Sequence, residues 1–510
     1  MHPTHQPERS DTGLSSTKGK LGLSLLASLI LSACSTTLPS SAPQILDGQT
    51  QSYSASPIPQ TTVSSPGPAG LAQHLGYGQQ LPPQWWQLFR SDDLDKLIRS
   101  ALQNSPTLAA ARAALRQAQE NYNAASGSLD YPNVGAQLGA SRQRQVLSGV
   151  TPSDYNVLSA GLNVSYTVDL FGANRHQLEG LMAASDYQRY QLEATYQNLV
   201  FNVVTTAIQE ASQRAQLQAT QDLLVAARQQ LEIVQKQAEL GAVARSSVLS
   251  QATLVAQTRA QLPPLEKALD MTRHQLAIYL GRLPSEQGLP EFQLGSLQLP
   301  AELPVSLPSD LLRQRPDIRA SEALLQQAAA QLGVATANQY PQINLTGSFS
   351  GEKLFVGGLS GSSTLWSLGS SVTQSLFDGG ALRAKKRAAE AAYDQAQAQY
   401  RDTVLKAFQN VADSLRAISA DASTLQAQAE AEEQARATLQ LTEQRFKLGA
   451  VSQLALLDAQ RSWQQTRISR ISAEAGRYAD TAALFLALGG GWWNRGNELA
   501  AQNSTPSAQP

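Results

Sequence analysis

Residues 158–170 read Leu-Ser-Ala-Gly-Leu-Asn-Val-Ser-Tyr-Thr-Val-Asp-Leu, an alternation without a fault. Leu158, Ala160, Leu162, Val164, Tyr166, Val168 and Leu170 fall on one side of an extended chain. Ser159, Gly161, Asn163, Ser165, Thr167 and Asp169 fall on the other. Side chains alternate across a strand with period two, so this stretch is a strand with one apolar and one polar face. Residues 134–146 repeat the pattern more weakly, and 343–349 and 366–376 form a second pair. Stretches rich in Ser, Gly and Pro at 147–156 and 351–363 are expected to join each pair as loops.

Helical stretches flank both pairs. A helix is expected over 94–126 and another over 308–338. Tyr131-Pro132 and Tyr340-Pro341 end them, because the residue before a proline disfavours the helical region. After each strand pair come 68 residues without a proline, 173–240 and 380–447. As continuous helix each would reach about 100 Å. Leu217, Leu224, Leu231 and Ala238 recur every seven residues, the spacing of a left-handed coiled-coil seam. Gly-containing turns at 241–245 and 449–452 reverse the chain, and return helices run to Leu280 and Leu488. Pro263-Pro264 is expected to kink or interrupt the first return helix.

The two halves are one unit written twice. At an offset of 208, Leu240-Gly241-Ala242-Val243 meets Leu448-Gly449-Ala450-Val451, Gln257-Thr258-Arg259 meets Gln465-Thr466-Arg467, and Leu280-Gly281 meets Leu488-Gly489. Upstream the offset drifts: Pro106 meets Pro316 and Pro132 meets Pro341, as loop insertions and deletions would produce. A repeat this long is a duplicated domain-sized unit and not a solenoid. The expected division is a first repeat over 84–299 and a second over 300–490, with 491–510 left as a disordered tail.

The chain has 510 residues, with 39 Lys+Arg against 40 Asp+Glu for a formal charge of −1. That balance argues against a nucleic-acid binder. One cysteine excludes a disulfide framework, and five histidines without paired spacing offer no metal site. No cofactor and no enzymatic activity are expected. The cysteine belongs to an address: Lys18 and Lys20 precede a 13-residue apolar run ending Leu31-Ser32-Ala33-Cys34. Thirteen residues make about 20 Å of helix, short of a bilayer core, so residues 1–33 read as an export signal. The ending resembles the bacterial lipobox, which implies cleavage before Cys34, lipidation of Cys34 and, with Ser35 following, sorting to the outer membrane. Residues 34–83 are rich in Ser, Pro, Gln and Thr and are expected to form a lipid anchor and extended tether.

Strands of this length with one apolar face match membrane β-strands, which need about 9–11 residues. Four strands in lipid leave edge backbone groups unpaired, so the sheet must close with copies of itself. Two, three or four chains would give 8, 12 or 16 strands, and spacing alone does not choose. Helices from copies around the same axis would form a second tube.

At this point the chain resembles the TolC-type outer membrane factors, specifically the lipidated OprM/NodT branch that serves drug-efflux systems. The resemblance is carried by Trp86-x-x-Phe89, Asn104-Ser105-Pro106-Thr107-Leu108, Arg315-Pro316-Asp317-Ile318, Phe377-Asp378-Gly379-Gly380 and Leu456-Leu457-Asp458-Ala459-Gln460-Arg461. It spans about residues 84–490. It implies an α+β membrane protein: a homotrimer with a 12-stranded β-barrel continuous with a periplasmic helical barrel. It also implies passive export of small molecules such as drugs, with a periplasmic adaptor, an inner-membrane RND-type pump and outer membrane lipid as partners. By the same resemblance the periplasmic gate matches Leu454 and Asp458, one helical turn apart, with Arg461 placed to pair with a neighbour's Asp458. The first repeat carries Ser246, Ser250 and Thr253 at the equivalent positions, so only the second carries charge. The turns Gly241-Ala242-Val243-Ala244 and Gly449-Ala450-Val451-Ser452 are the expected adaptor-docking tips. The rival readings are a type I protein-secretion duct and a lipid-anchored coiled-coil protein without a pore.

Overall fold

The computed structural model describes residues 52–145, 153–356 and 359–495. The expected signal peptide, Cys34 and the tips of both strand-joining loops lie outside the described residues. In chain order the elements are β1 (His74–Tyr77), α1 (Asp92–Asn104), α2 (Pro106–Leu129), β2 (Asn133–Gln145), β3 (Ser153–Val168), α3 (Ala173–Glu239), α4 (Arg245–Tyr279), β4 (Glu302–Val305), α5 (Pro308–Gln314), α6 (Pro316–Ala337), β5 (Gln342–Val356), β6 (Leu359–Thr373), α7 (Ala381–Lys447) and α8 (Gln453–Ala487). The duplication is exact in the long helices. Both ends of α3 and α7, and both ends of α4 and α8, stand 208 residues apart.

The chain divides into two compact units. The first holds residues 120–183 and 325–395. Its centre is an antiparallel sheet in the order β2-β3-β5-β6. The register sets Val134 opposite Val164, Leu162 opposite Phe349, and Phe349 opposite Trp366. Opposed residues share a face, so most apolar residues of the four strands fall on one surface, while Val157, Leu354 and Leu365 fall on the other. Leu138, Leu162, Phe349, Trp366 and Leu368 on that surface are exposed in the single chain. The other face carries Gln137, Asn163, Ser165, Thr346, Ser348 and Ser367, with a hydroxyl pair between Ser348 and Ser367 at 2.8 Å. β5 and β6 run well into the stretch expected to be a loop, because each continues its cross-strand pairing to Val356 and Leu359.

The second unit holds the described residues up to 119, with 184–324 and 396–495. Its apolar core gathers Trp85, Phe89, Tyr478 and Phe485, with ring centroids 5.6 Å apart for Trp85–Phe485 and 6.2 Å for Phe89–Tyr478. Fully buried Glu210 ties the inter-repeat linker to the first hairpin: it accepts from Arg214 at 2.6 Å, Arg273 at 2.9 Å and the Phe292 N–H at 2.9 Å. The Arg315-Pro316-Asp317 segment has a structural cause. Arg315 donates to both Asp317 oxygens, at 2.6 and 3.0 Å, and to the Ala487 carbonyl at 2.9 Å.

Several expectations are corrected here. Each opening helix is two helices, broken where Ser105 and Arg315 adopt extended backbone before Pro106 and Pro316. Pro263 and Pro264 do not interrupt α4. Arg259 and Ala260, whose carbonyls lose their partners, are exposed and can turn to water. The most deeply buried heptad of α3 is Thr220, Ala227 and Val234; of the expected seam Leu224 is buried, and Leu217, Leu231 and Ala238 are half-buried. On α7 the heptad is Val404, Val411, Ile418, Leu425 and Leu439.

The tether reading also fails for its described part. β1 pairs in parallel with β4, and Ala69, Leu75 and Leu81 are buried. Fully buried Arg477 holds this strap, donating to Ala69 O at 2.6 Å, Leu71 O at 2.7 Å and Thr62 Oγ1 at 3.0 Å. The strap is held by backbone acceptors matched to donors some 400 residues away, which composition does not register. The expected loose tail is likewise packed as far as Arg495. Trp492 donates to Gln314 O at 2.6 Å and sits against Tyr190, Ala320 and Ala323, and Arg495 pairs with Glu193.

Candidate functional site: the hairpin tips and the face beside them

The tips are built by backbone geometry. Gly241 and Gly449 hold φ of +70° and +74°, the left-handed region that suits glycine. In each, the N–H of the residue after the glycine reaches back five residues: Ala242 to Gln237 O at 2.8 Å, and Ala450 to Arg445 O at 2.9 Å. The glycine N–H groups bond Ala238 O and Phe446 O, completing the helix-ending motif that satisfies the last carbonyls. Ser452 then caps α8 by accepting the Ala455 N–H at 3.3 Å, whereas Ala244 caps α4 without a side-chain bond. Gly241, Ala242, Ala244, Gly449, Ala450 and Ser452 are exposed, and Val243 and Val451 are half-buried. A Cβ on either glycine would meet open space, so only φ constrains the residue there. Leu240 and Leu448, 85% and 82% exposed, crown the two turns. Reading the sequence did not single them out, although their duplication beside the glycines was the available signal.

Leu454, Asp458 and Arg461 lie on the exposed side of α8, while Gln453, Leu456, Leu457, Ala459 and Gln460 are buried. Within the chain Arg461 stands 3.9 Å from its own Asp458 and donates to Gln257 Oε1 at 3.4 Å. An exposed pair this loose is worth only about 0.3–0.5 kcal/mol. Ser246, Ser250 and Thr253 are exposed on α4 as the duplication requires.

The structure adds a ladder between the two return helices that sequence reading missed. Gln453 donates to Gln251 Oε1 at 2.9 Å, and Gln464 to Gln261 Oε1 at 2.9 Å. Gln251 in turn donates to Ala227 O at 3.0 Å, beside the cluster of Ala227, Leu254 and Leu457. Glutamines read as helical filler thus set the spacing of α4 and α8 behind the Leu454–Asp458 face. Higher on the hairpin, Asp421 of α7 stands against Asp480 of α8. Burial first, and that neighbouring carboxyl second, push Asp421 up to about 7.

Among the described residues no group of three or more His, Cys, Asp or Glu could hold a metal ion, and no helix is long and apolar enough to cross a membrane. The first unit offers an exposed apolar sheet face; the second offers two small-residue turns and a helix face of one leucine and one carboxylate.

Comparison with known proteins supplies the family. The family model described as "Outer membrane efflux protein" matches residues 97–282 and 307–490, one match per repeat. The chain is 33% identical over 450 residues to the pyoverdine export outer membrane protein OpmQ of Pseudomonas putida, covering 86% of this chain and 94% of that one. It is 30% identical over 430 residues to the probable efflux pump outer membrane protein TtgC of the same organism, covering 82% and 87%. Among solved structures the outer-membrane channel OprN superimposes with a TM-score of 0.77 at 28% identity, covering 86% of this chain and 99% of that one.

Proposed function

This chain belongs to the outer membrane efflux protein family, and from that premise we propose how its parts divide the work. It is an outer membrane channel component of an efflux pump. Three copies close the sheet into a 12-stranded barrel, with the duplicated hairpins forming a periplasmic tube. A periplasmic adaptor seats on the small-residue tips, and an inner-membrane RND-type pump supplies the energy, so the chain conducts small molecules passively. Cys34 carries the lipid that tethers the N-terminus. The observation that carries this reading is the sheet: its apolar face runs across four strands and is exposed, and its edge strands β2 and β6 have no further strand partner among the described residues. Both features are costly for an isolated chain and are relieved together by closure in lipid.

Leu454 and Asp458 are the gate. Three copies bring a leucine ring and a carboxylate ring one helical turn apart, the two ways a pore narrows. Their support is the family match and their exposure on a helix whose neighbouring positions are buried. Asp458→Ala is expected to raise single-channel conductance in planar bilayers, while Ser250→Ala, at the uncharged equivalent position, is expected to leave it unchanged. Equal conductance of wild type and Asp458→Ala would remove the gate assignment.

A further inference from the structure

In the first unit, every strand end on the helical side carries an aromatic residue: Tyr131 before β2, Phe171 after β3, Tyr340 before β5 and Phe377 after β6. Phe171 and Tyr340 stack with ring centroids 4.9 Å apart. Tyr131 and Phe377 are exposed. Aromatic rings at this position mark the boundary between hydrocarbon and headgroups in membrane barrels.

Immediately beyond the aromatic residues stand four exposed cations. Arg175 and Arg383 stand 208 residues apart, each on the first turn of a long helix. Both are exposed. Lys385 and Arg387 are exposed on the next turn, and Lys385 lies in the wall of a cavity of about 690 Å³ with Tyr340 and Leu382. None of these four cations has an ion-pair partner among the described residues. The acids nearby are held by other groups of the chain: Asp130 accepts the Ser126 hydroxyl, Asp169 the Arg175 N–H and Asp378 the N–H groups of Gly380 and Leu382, while Glu179 pairs with His176 and Glu390 with Lys386. A helix start disfavours cations; Asp169 and Asp378 offset this at the backbone and leave the guanidinium groups of Arg175 and Arg383 unpaired among the described residues.

We infer that this rim binds the anionic headgroups of phospholipid in the leaflet it lies in, through Arg175, Arg383, Lys385 and Arg387. The apolar sheet face ends at the same level, so the occupant is an amphiphile, with acyl chains along the strands and phosphate against the cations. Cations on more than one side of α7 suit several headgroups around a rim better than one enclosed anion. The inference rests on reading the sheet as part of a lipid-embedded barrel.

The test is native mass spectrometry of the delipidated, detergent-solubilised full-length protein. Phosphatidylglycerol and phosphatidylethanolamine are offered at equal concentration, alongside conductance in a planar bilayer. Wild type is expected to retain phosphatidylglycerol in preference. The combined Arg175→Gln, Arg383→Gln, Lys385→Gln and Arg387→Gln variant is expected to lose that preference roughly tenfold. Should that variant not assemble, Lys385→Gln with Arg387→Gln decides, with a loss of roughly threefold expected. Raising the salt concentration should weaken the wild-type preference, because exposed charges are screened. Equal retention of the two lipids by a conducting wild-type oligomer overturns the lipid rim alone, as does a preference the variants leave intact. A wild-type protein that neither assembles nor conducts overturns the barrel, and the rim with it.

Discussion

At the scale of single residues, Asp421 makes the sharpest statement. One of its carboxyl oxygens is buried without a hydrogen-bond partner among the described residues, and the carboxyl of Asp480 stands beside it. Burial and a neighbouring carboxyl both favour the protonated form of Asp421. A carboxyl whose pKa rises on folding binds more protons in the folded chain than in the unfolded one. Its contribution is therefore present below the ordinary carboxylate pKa and is lost as pH rises towards about 7. The melting temperature of the detergent-solubilised protein should fall between about pH 4 and pH 7 and level off above that. Asp421→Asn should flatten that slope and raise stability at pH 8; an unchanged slope in thermal melts would reject the pair as its source. Nothing in the sequence announced Asp421, because its partner is 59 positions away and both look like ordinary helix-face charges. Leu454 and Asp458 were singled out through the family's motif, and the structure places both on the exposed side of α8. Arg461 was legible as a neighbour of Asp458, but its contact with Gln257 depends on how two helices lie side by side.

At the scale of elements, the tips carry the prediction. If the adaptor approaches closely, bulk at Gly241 and Gly449 is what excludes it. Ala and Leu incur the same left-handed strain at these positions, about 1–2 kcal/mol, but only Leu adds volume. Replacing both glycines by Leu should therefore restore drug susceptibility at constant protein level, and replacing both by Ala should do so much less. Equal effects of the two pairs would reduce the glycines to helix caps. The long helices were read to within a residue, because they are uninterrupted by proline and end at glycine turns. The opening helices were read as single because their proline breaks fall inside an otherwise helical pattern.

At the scale of the whole molecule, the free edges of β2 and β6 demand copies. Protein extracted in mild detergent should have the mass of three chains that begin at Cys34, each heavier by its acyl groups. A stable monomer with little sheet by circular dichroism would contradict the barrel. An unmodified residue 34 would contradict the anchor while leaving the barrel standing. The prediction belongs at this scale because no residue within the chain can satisfy those edges: each unpaired group in hydrocarbon costs several kcal/mol.

The sequence by itself determined the periodic elements, their duplication and the apolar sheet face. Those follow from spacings of two, seven and 208 residues, and local periodicity survives without tertiary context. Tertiary structure alone decided the partners of Arg477, the glutamine ladder between α4 and α8, the folding back of the strap around residues 60–83, and the packing of Trp492. Each joins residues far apart in the chain through buried hydrogen bonds or ring contacts. A buried donor must find an acceptor wherever the fold brings one. The identity of that acceptor is not encoded in the residues on either side of the donor.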